Sequence, residues 1–495
     1  MKKLKETGIF LPLFSLPNKY GIGSMGKEAY KFCDFLNQTK QSYWQILPLG
    51  PTSFGDSPYQ SLSSFGGSIY YIDLDLLVDD ELLFTYEVKE YEHNTKKIDY
   101  GYLFNTRNVI LKKAYKRFKT QKQNEFLHFL KVNYYWLLDY AIYMFLKEKN
   151  NYSSFLDWSE EEKKLTNSTK EKIIKEHIDE LNYHFFTQYI FFKQLKNLKD
   201  YANSKGIRII GDMSMYVSLD SVDVWANPTL FLLDEDYVPK RVSGVPPDYF
   251  SKTGQLWGNP IYDYEEHEKT NYDWFIKRIM HHLKMYDIIR LDHFRGYASY
   301  YSIPNGSVDA TIGKWMEGPK MDLFNPLKKK IKEELNKDLN EVIIAEDLGT
   351  LTIDVYELLK KTKLTGMKVL QFGLPDVTSI HMPNNYTYNT IAYIGTHDND
   401  TFMGWFESLE IEKQIEILSF LKCSRKTLME EVIKLMFNSK ARIVIINLTD
   451  YLHLSTRARI NLPGSIINNW SFKFKQIDYE YLRNYIFENF FDKRL

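Results

Sequence analysis

The stretch Ile288-Ile289-Arg290-Leu291-Asp292-His293-Phe294-Arg295-Gly296 decides the fold. It is an apolar run that ends in a carboxylate and continues at once into His, Arg and Gly. A buried parallel strand that delivers charged residues at its C-terminal end has this pattern, and in barrel enzymes that end carries the chemistry. Two later apolar runs, residues 342–345 and 391–395, end in the same way, at Glu346 and just before Asp398. Three acidic strand ends predict one functional site.

Short apolar or β-branched runs bounded by turn residues recur along the whole chain, and each is typical of a buried strand. We predict strands at residues 8–13, 43–49, 207–211, 287–291, 341–345, 367–372, 391–395 and 441–448. Helical patterns separate the later strands, for example at residues 352–361. Eight strands that alternate with helices predict an α/β fold, a (β/α)8 TIM barrel.

Two intervals between the predicted strands are too long for a single crossover helix. Residues 60–205, after the second strand, contain several helical patterns and predict a mostly helical subdomain inserted into the barrel. An apolar stripe at near-helical spacing between residues 181 and 192 indicates helix packing there. Residues 213–285, after the third strand, are rich in Pro, Gly and Trp and predict an inserted active-site loop region. We therefore expect one catalytic barrel domain over residues 1–495 with these two insertions.

Charge and cysteine content narrow the class of protein. The 495 residues include 64 basic and 64 acidic side chains, so electrostatics gives no reason to expect nucleic acid or an anionic membrane as partner. Cys33 and Cys423 are the only cysteines, which argues against a disulfide framework and against a Cys-based zinc site. The basic and apolar N-terminus resembles a signal peptide, but Glu6 and Pro12 interrupt it and no small-x-small cleavage site comes after it. We expect a cytoplasmic protein without a membrane span.

One glycine pattern suggests a nucleotide cofactor and is better explained as a turn. Gly21-Ile22-Gly23-Ser24-Met25-Gly26 matches the dinucleotide-binding pattern, in which the glycines directly follow a strand and an acidic residue lies about 20 positions on. Here residues 14–20 intervene, and the acidic position falls in an apolar run. No phosphate-binding loop of the Walker type is present, and the histidines do not have metal-ligand spacing. We expect no cofactor and no metal.

The three strand-end carboxylates have the residue types that retaining cleavage of a glycosidic bond requires. Such cleavage uses a carboxylate nucleophile and a protonated carboxyl roughly 5 Å apart. One acidic residue after a strand is as often a helix cap as a functional group, but three on the fourth, fifth and seventh strands favour a site. Crowding of Glu346 by Asp292 and Asp398 predicts that one proton is retained at neutral pH. Arg290, on the same strand face as Asp292, is predicted to keep Asp292 ionised.

The order Asp212, Arg290-x-Asp292, Glu346 and His397-Asp398 resembles the four short regions of the α-amylase superfamily. The flanking sequence is closer still to the 4-α-glucanotransferases, the amylomaltase or disproportionating-enzyme family. The matching segments are Gly55-Asp56-Ser57-Pro58-Tyr59, Asp223-Val224-Trp225-Ala226-Asn227-Pro228, Gly244-Val245-Pro246-Pro247-Asp248-Tyr249-Phe250, Thr253-Gly254-Gln255-Leu256-Trp257-Gly258-Asn259-Pro260, Ala345-Glu346-Asp347-Leu348-Gly349, residues 396–401 and Asn461-Leu462-Pro463-Gly464. They extend from near the N-terminus to about Trp470, so the resemblance covers nearly the whole chain.

The resemblance implies roles for individual residues. It implies that Asp292 is the nucleophile, Glu346 the acid/base and Asp398 the carboxylate that stabilises the transition state. The substrate-binding residues that it implies are Tyr59, Asp212, Gln255, Trp257, Arg290, His293, Asp347 and His397. The implied activity is that of a retaining 4-α-glucanotransferase, which moves α-1,4-glucan segments from a donor maltooligosaccharide to the 4-hydroxyl of an acceptor glucan or glucose. No cofactor is implied.

The chain departs from the usual family sequence at Leu11-Pro12-Leu13-Phe14, at Ser214 and at Pro383-Asn384. These departures concern outer subsites and acceptor affinity, and none touches the three carboxylates.

Two alternatives remain open on the sequence alone. An α-glucan hydrolase of the same superfamily uses the same carboxylates, because water in place of a sugar hydroxyl converts transfer into hydrolysis. A non-catalytic glucan-binding protein on a degenerate barrel predicts the loss of at least one carboxylate, whereas all three are present. We expect a monomer or a homodimer.

Overall fold

Short apolar runs form a parallel sheet of eight strands at the centre of the molecule. The computed structural model describes residues 5–53, 55–121, 123–247, 251–465 and 467–490. Twelve strands lie in the described residues, eight in the central sheet and four in a second sheet. They are β1 (Glu6–Phe10), β2 (Tyr43–Gln45), β3 (Arg208–Met213), β4 (Arg241–Val245), β5 (Gln255–Pro260), β6 (Ile288–Leu291), β7 (Ser299–Pro304), β8 (Lys314–Glu317), β9 (Ile343–Ala345), β10 (Gly366–Val369), β11 (Thr390–Tyr393) and β12 (Ile443–Asn447).

The central sheet closes on itself. Its strand order is β10-β11-β12-β1-β2-β3-β6-β9, and all of its pairings are parallel. Its two edge strands meet through a parallel bridge between Ile344 and Thr365, where the N–H of Ala345 donates to the Thr365 carbonyl at 3.0 Å. Each of the eight predicted stretches overlaps one of these strands. The predicted (β/α)8 barrel is confirmed.

Several strand boundaries differ from the prediction. The second strand ends at Gln45 instead of residue 49. Residues 341–342 belong to a helical turn, Leu339–Val342, which begins with a capping box in which the Asp338 N–H donates to Glu341 at 2.6 Å. Residues 370–372 form a 3₁₀ turn instead of extending β10.

Helices surround the barrel and fill the interval between β2 and β3. They are α1 (Lys27–Gln38), α2 (Leu74–Asp79), α3 (Thr85–Lys89), α4 (Tyr100–Phe118), α5 (Asn124–Lys149), α6 (Glu160–Lys163), α7 (Asn167–Glu176), α8 (Ile178–Ser204), α9 (Val222–Ala226), α10 (Tyr264–Lys269), α11 (Asp273–Met285), α12 (Arg295–Ala298), α13 (Lys320–Leu335), α14 (Leu339–Val342), α15 (Ile353–Thr362), α16 (Phe402–Ser408), α17 (Ile411–Leu421), α18 (Leu428–Phe437), α19 (Leu448–Tyr451) and α20 (Tyr479–Phe490). Successive contacts of α15, α13, α11, α8, α1, α20 and α18 form the outer layer. None of the described helices is long and apolar enough to cross a membrane.

Helices α2 to α8 lie between β2 and β3, in the interval for which a helical subdomain is predicted. The two longest, α5 and α8, pack along each other. Helix α8 also contacts α1, α11 and β3, so the helical segment is joined to the barrel wall along one side. The aromatic residues of α8 that the sequence pattern singled out are buried or partly buried in these contacts.

A second sheet, which the sequence pattern did not predict, lies beside the barrel. It is antiparallel with the order β5-β4-β7-β8. Strands β4 and β5 come from the interval 213–285, and β7 and β8 come from the connection after β6. These strands contain Gly, Pro, Ser and Trp instead of a continuous apolar run, so strand patterning did not reveal them. Residues 248–250, which end one of the matching segments, lie outside the described residues.

Candidate active site

Two neighbouring barrel strands bring Asp292 and Glu346 together. Strands β6 and β9 pair in parallel with Leu291 opposite Ala345, so the next residue of each strand leaves the barrel at the same level. The Glu346 N–H donates to the Leu291 carbonyl at 3.0 Å. The N–H of His293, the residue after Asp292, donates to Oε2 of Glu346 at 2.8 Å. Main-chain geometry therefore fixes the two carboxyl groups side by side.

Burial favours a proton on the Glu346 side chain, although two main-chain N–H donors to its carboxyl oxygens oppose it. Its Oε1 accepts from the Leu348 N–H at 2.8 Å, and its Oε2 accepts from His293. Burial raises the pKa of Glu346 to about 7, Arg290 opposes the rise, and the charge of Asp292 adds to it. The sequence pattern predicted a retained proton from the crowding of Glu346 by Asp292 and Asp398. In the structure burial is the main cause, and Asp292 is the neighbouring carboxylate that contributes.

Arg290 connects Asp292 to a third strand end. Its Nη2 lies 3.1 Å from Oδ1 of Asp292, and its Nη1 donates to Oδ2 of Asp212 at 2.6 Å. Asp212 lies on β3 opposite Arg290 in the parallel register, and both side chains are buried. Burial raises the pKa of Asp212, and the guanidinium of Arg290 opposes that rise. The arginine thus pairs with both carboxylates, whereas the sequence pattern predicted that it lies on the same face as Asp292.

Aromatic rings continue the site from Asp212 to Asp398. The hydroxyl of Tyr59 donates to Oδ2 of Asp212 at 2.8 Å, and its ring stacks on His397 with centroids 5.1 Å apart. Nε2 of His397 lies 3.4 Å from Oδ1 of Asp398, the next residue. The ring of Trp470 lies 5.9 Å from both Tyr59 and His397. A continuous set of contacts thus links Asp398, His397, Tyr59 and Asp212.

The second sheet contributes Trp257 to the same site. The ring of Trp257 on β5 meets His293 edge to face at a centroid distance of 4.8 Å. Its Nε1 donates to Oε1 of Gln255 at 3.1 Å. Burial lowers the pKa of His293 to about 4, so its imidazole is neutral at physiological pH. Within the described structure its Nε2 is buried without a hydrogen-bond partner.

Asp347 is the predicted site residue that the structure places elsewhere. Its buried carboxylate accepts from the Met367 N–H at 2.5 Å, and Nζ of Lys368 lies 3.4 Å away. Both partners belong to β10, so the side chain is engaged in the barrel wall. Ten of the eleven predicted site residues are therefore linked by the contacts described above, and Asp347 is not part of them.

Three residues to which the sequence pattern gave no role complete the site. Asn461 donates from Nδ2 to Oδ1 of Asp398 at 2.6 Å, Arg459 donates to the Asp398 carbonyl at 2.8 Å, and Trp470 packs against the aromatic pair. They come from the segment after β12. Asn461 begins one of the matching sequence segments, and that match was the signal available for it. Among the described residues, no group of three or more His, Cys, Asp or Glu is arranged to hold a metal ion.

Comparison with known proteins agrees with this geometry. A family model described as 4-alpha-glucanotransferase matches residues 11–478. This chain belongs to the 4-alpha-glucanotransferase family. The 4-alpha-glucanotransferase of Clostridium butyricum is 47% identical to it over 467 residues, which cover 93% of this chain and 94% of the relative. The 4-alpha-glucanotransferase of Aquifex aeolicus is 40% identical over 487 residues, 98% of each.

A solved member of the 4-alpha-glucanotransferase family has the same fold. An amylomaltase from Streptococcus agalactiae, in complex with acarbose, superposes with a TM-score of 0.93 at 37% identity and covers 99% of both chains. An amylomaltase from Corynebacterium glutamicum, at 17% identity and a TM-score of 0.77, shows the shared fold alone; it covers 99% of this chain and 74% of its own. The predicted family and the predicted glycosyltransferase activity are confirmed. The chain is an enzyme that transfers glycosyl groups between α-glucans.

Proposed function

We propose that the site transfers α-1,4-glucan segments by a retaining double displacement in which Asp292 is the nucleophile and Glu346 the acid/base. The observation that supports this most directly is the contrast between the two adjacent carboxyl groups. Asp292 faces the guanidinium of Arg290, whereas Glu346 is buried and has its pKa raised to about 7. A carboxylate paired with a guanidinium suits a nucleophile, and a neighbouring carboxyl group with a raised pKa suits a general acid.

In the first step an oxygen of Asp292 attacks the anomeric carbon of the donor. The bond from that carbon to the glycosidic oxygen breaks, and Glu346 gives its proton to the departing oxygen. The products of this step are a free shortened glucan and a glycosyl ester on Asp292. Glu346 is then ionised and able to accept a proton.

In the second step the 4-hydroxyl of an acceptor glucan or glucose attacks the same carbon. Glu346 removes the hydroxyl proton, the ester bond to Asp292 breaks, and the starting protonation of both carboxyl groups is restored. Two inversions at one carbon retain the α configuration. Bonds and protons balance without a cofactor.

The remaining site residues are proposed to bind the sugar that reacts. Asp398 stabilises positive charge that develops at the ring, and His397 and neutral His293 bond sugar hydroxyls. Tyr59 and Trp257 supply aromatic faces on two sides of the cleft, and Gln255, Asp212 and Arg290 add polar contacts. Support comes from the contacts that connect these side chains with Asp292 and Glu346. A sugar contact from Asp347 has no support from its place in the barrel wall.

Transfer instead of hydrolysis requires that the covalent intermediate meet a sugar before it meets water. In this proposal two groups of rings shield the covalent intermediate from water: Trp257, which contacts His293, and the contacting rings of Tyr59, His397 and Trp470. A site shielded from water favours an acceptor that fills it. The maltooligosaccharide is therefore both donor and acceptor in this proposal.

Maltotriose as the sole substrate tests the proposal. Transfer is expected to give glucose and a ladder of longer oligosaccharides, which chromatography separates by size. Glucose and maltose without elongation would instead identify a hydrolase, and no reaction at all would leave a glucan-binding protein.

We also propose a cytoplasmic enzyme that acts as a monomer or homodimer, without nucleic acid or membrane partners. The balanced charge and the free Cys33 and Cys423 support this.

A further inference from the structure

The carboxylate of Asp398 lies on a segment without regular structure, and side chains from elsewhere set its direction. Strand β11 ends at Tyr393 and α16 begins at Phe402, so Asp398 stands in the connection between them. Oδ1 of Asp398 accepts from Asn461 Nδ2 at 2.6 Å, and the main-chain N–H of Asp398 donates to Thr396 Oγ1 at 3.3 Å. No barrel pairing fixes this carboxylate, in contrast to Asp292 and Glu346.

Arg459 bonds the main chain of both residues, Asp398 and Asn461, whose side chains form this contact. Its Nη2 donates to the carbonyl of Asp398 at 2.8 Å, and its Nε donates to the carbonyl of Asn461 at 2.7 Å. Its Nη1 lies 4.0 Å from Oδ2 of Asp400. A guanidinium is planar and its donors have fixed directions, so one group sets the separation of the two peptides. The donor and the acceptor of the 2.6 Å bond belong to those two residues.

The two segments remain connected without Arg459. The N–H of Asn461 donates to the carbonyl of His397 at 3.2 Å, and Asp450 Oδ1 accepts from the Phe402 N–H at 2.9 Å. The Arg459 side chain is a quarter exposed. Its removal therefore leaves the loop anchored but frees the relative rotation of the Asp398 and Asn461 peptides.

We propose that Arg459 is a positioning residue for glycosyl transfer, because it holds the peptides of Asp398 and Asn461 in the alignment that directs the Asp398 carboxylate. The inference rests on the proposed role of Asp398 as the group that stabilises the transition state. An interaction made only in the transition state changes kcat and kcat/KM together and leaves KM nearly unchanged. Misalignment of Asp398 should have this signature.

The first test compares Arg459→Ala and Arg459→Lys with the wild type on maltotriose. We expect kcat to fall about 30-fold in Arg459→Ala with KM within about threefold, in line with the loss of one oriented charge interaction. Arg459→Lys keeps one of the two carbonyl bonds and should lose less than Arg459→Ala. Arg457→Ala, which removes an exposed arginine from the same segment, is the matched control and should retain wild-type kcat. A raised KM with unchanged kcat in Arg459→Ala would overturn the proposal.

The second test asks whether Arg459 acts through Asp398. With an α-maltosyl fluoride donor, whose reactivity keeps slow variants measurable, Asp398→Asn is combined with Arg459→Lys. If the arginine acts through the carboxylate, the double variant should be no slower than Asp398→Asn alone. A further loss equal to that of the single Arg459→Lys variant would refute the proposal. Full activity of Asp398→Asn would instead refute the proposed role of Asp398.

Discussion

The two strand-borne carboxyl groups and the loop-borne one are positioned by different means. Asp292 and Glu346 follow paired strands, and hydrogen bonds of the adjacent main chain hold them in register. Asp398 comes several residues after the end of β11 and depends on side chains from the segment after β12. The pair is thus fixed by the barrel itself, whereas Asp398 is fixed by the packing of two loops.

Because the barrel positions Asp292 and Glu346 and two loops position Asp398, substitutions at the two places should have different effects. A change at Asp292 or Glu346 removes chemistry from a site whose geometry the barrel maintains. A change around Asp398 alters geometry while all the reacting groups remain. Substitutions at Asp292 or Glu346 should therefore block a step of the reaction, whereas substitutions around Asp398 should lower kcat partially.

Asp292→Asn should have the largest effect. The amide cannot form the glycosyl ester, so kcat/KM on maltotriose should fall by about 10⁵-fold or more. Asp287 lies at the other end of the same strand, where Oδ2 accepts from the Ile209 N–H at 2.8 Å, and Asp287→Asn is the control that should keep its activity. Substantial elongation of maltotriose by Asp292→Asn, measured by chromatography, would remove the nucleophile from the proposed mechanism.

Glu346→Gln should come second and should depend on the leaving group. It should slow maltotriose cleavage about 10³-fold, but it should slow glycosyl-enzyme formation from a glycosyl fluoride far less, because fluoride departs without a proton. The wild-type enzyme needs Glu346 protonated for cleavage, so kcat/KM should fall as pH rises through about 7, the raised pKa of this group. The fall should be absent in Glu346→Gln. A wild-type kcat/KM that stays constant well above pH 7 would contradict the assignment.

Asp398→Asn should have a smaller effect than either member of the pair. Oriented electrostatic stabilisation of a transition state is worth about 10²-fold to 10³-fold, and kcat should fall near the lower end of that range, about 10²-fold, with KM little changed. Asn461→Ala, which leaves the carboxylate in place without its 2.6 Å donor, should lose about tenfold. Steady-state kinetics on maltotriose measures both. An Asn461→Ala loss as large as that of Asp398→Asn would mean that Asn461 contacts the sugar itself.

The same contrast explains which features the sequence predicted. Strand ends such as Leu291-Asp292 were visible because a buried strand needs an apolar run, and the register of parallel strands aligns the residues at their ends. The bonds of Arg459 to Asp398 and Asn461 were not visible, because Arg459 and Asp398 are 61 residues apart and their contact depends on how two irregular loops pack. The second sheet was missed for a related reason, since short polar strands such as β5 carry no alternation.

Substitution of Asp347 should have the smallest effect on catalysis. Glu346 and Asp347 are neighbours in the sequence, but we expect Glu346 to act in the reaction and Asp347 to stabilise the fold. The Asp347 carboxylate accepts from Met367 in β10 at 2.5 Å and is buried. Asp347→Ala leaves that N–H and Lys368 without their acceptor and should lower the free energy of unfolding by about 2 kcal/mol. The folded variant should keep kcat and KM on maltotriose within about twofold. Asp347→Asn retains an acceptor oxygen and should lose less stability in urea titrations. A rise in KM of about tenfold with unchanged stability would contradict this expectation. It would mean that the Asp347 side chain contacts the sugar, together with Asp292 and Glu346.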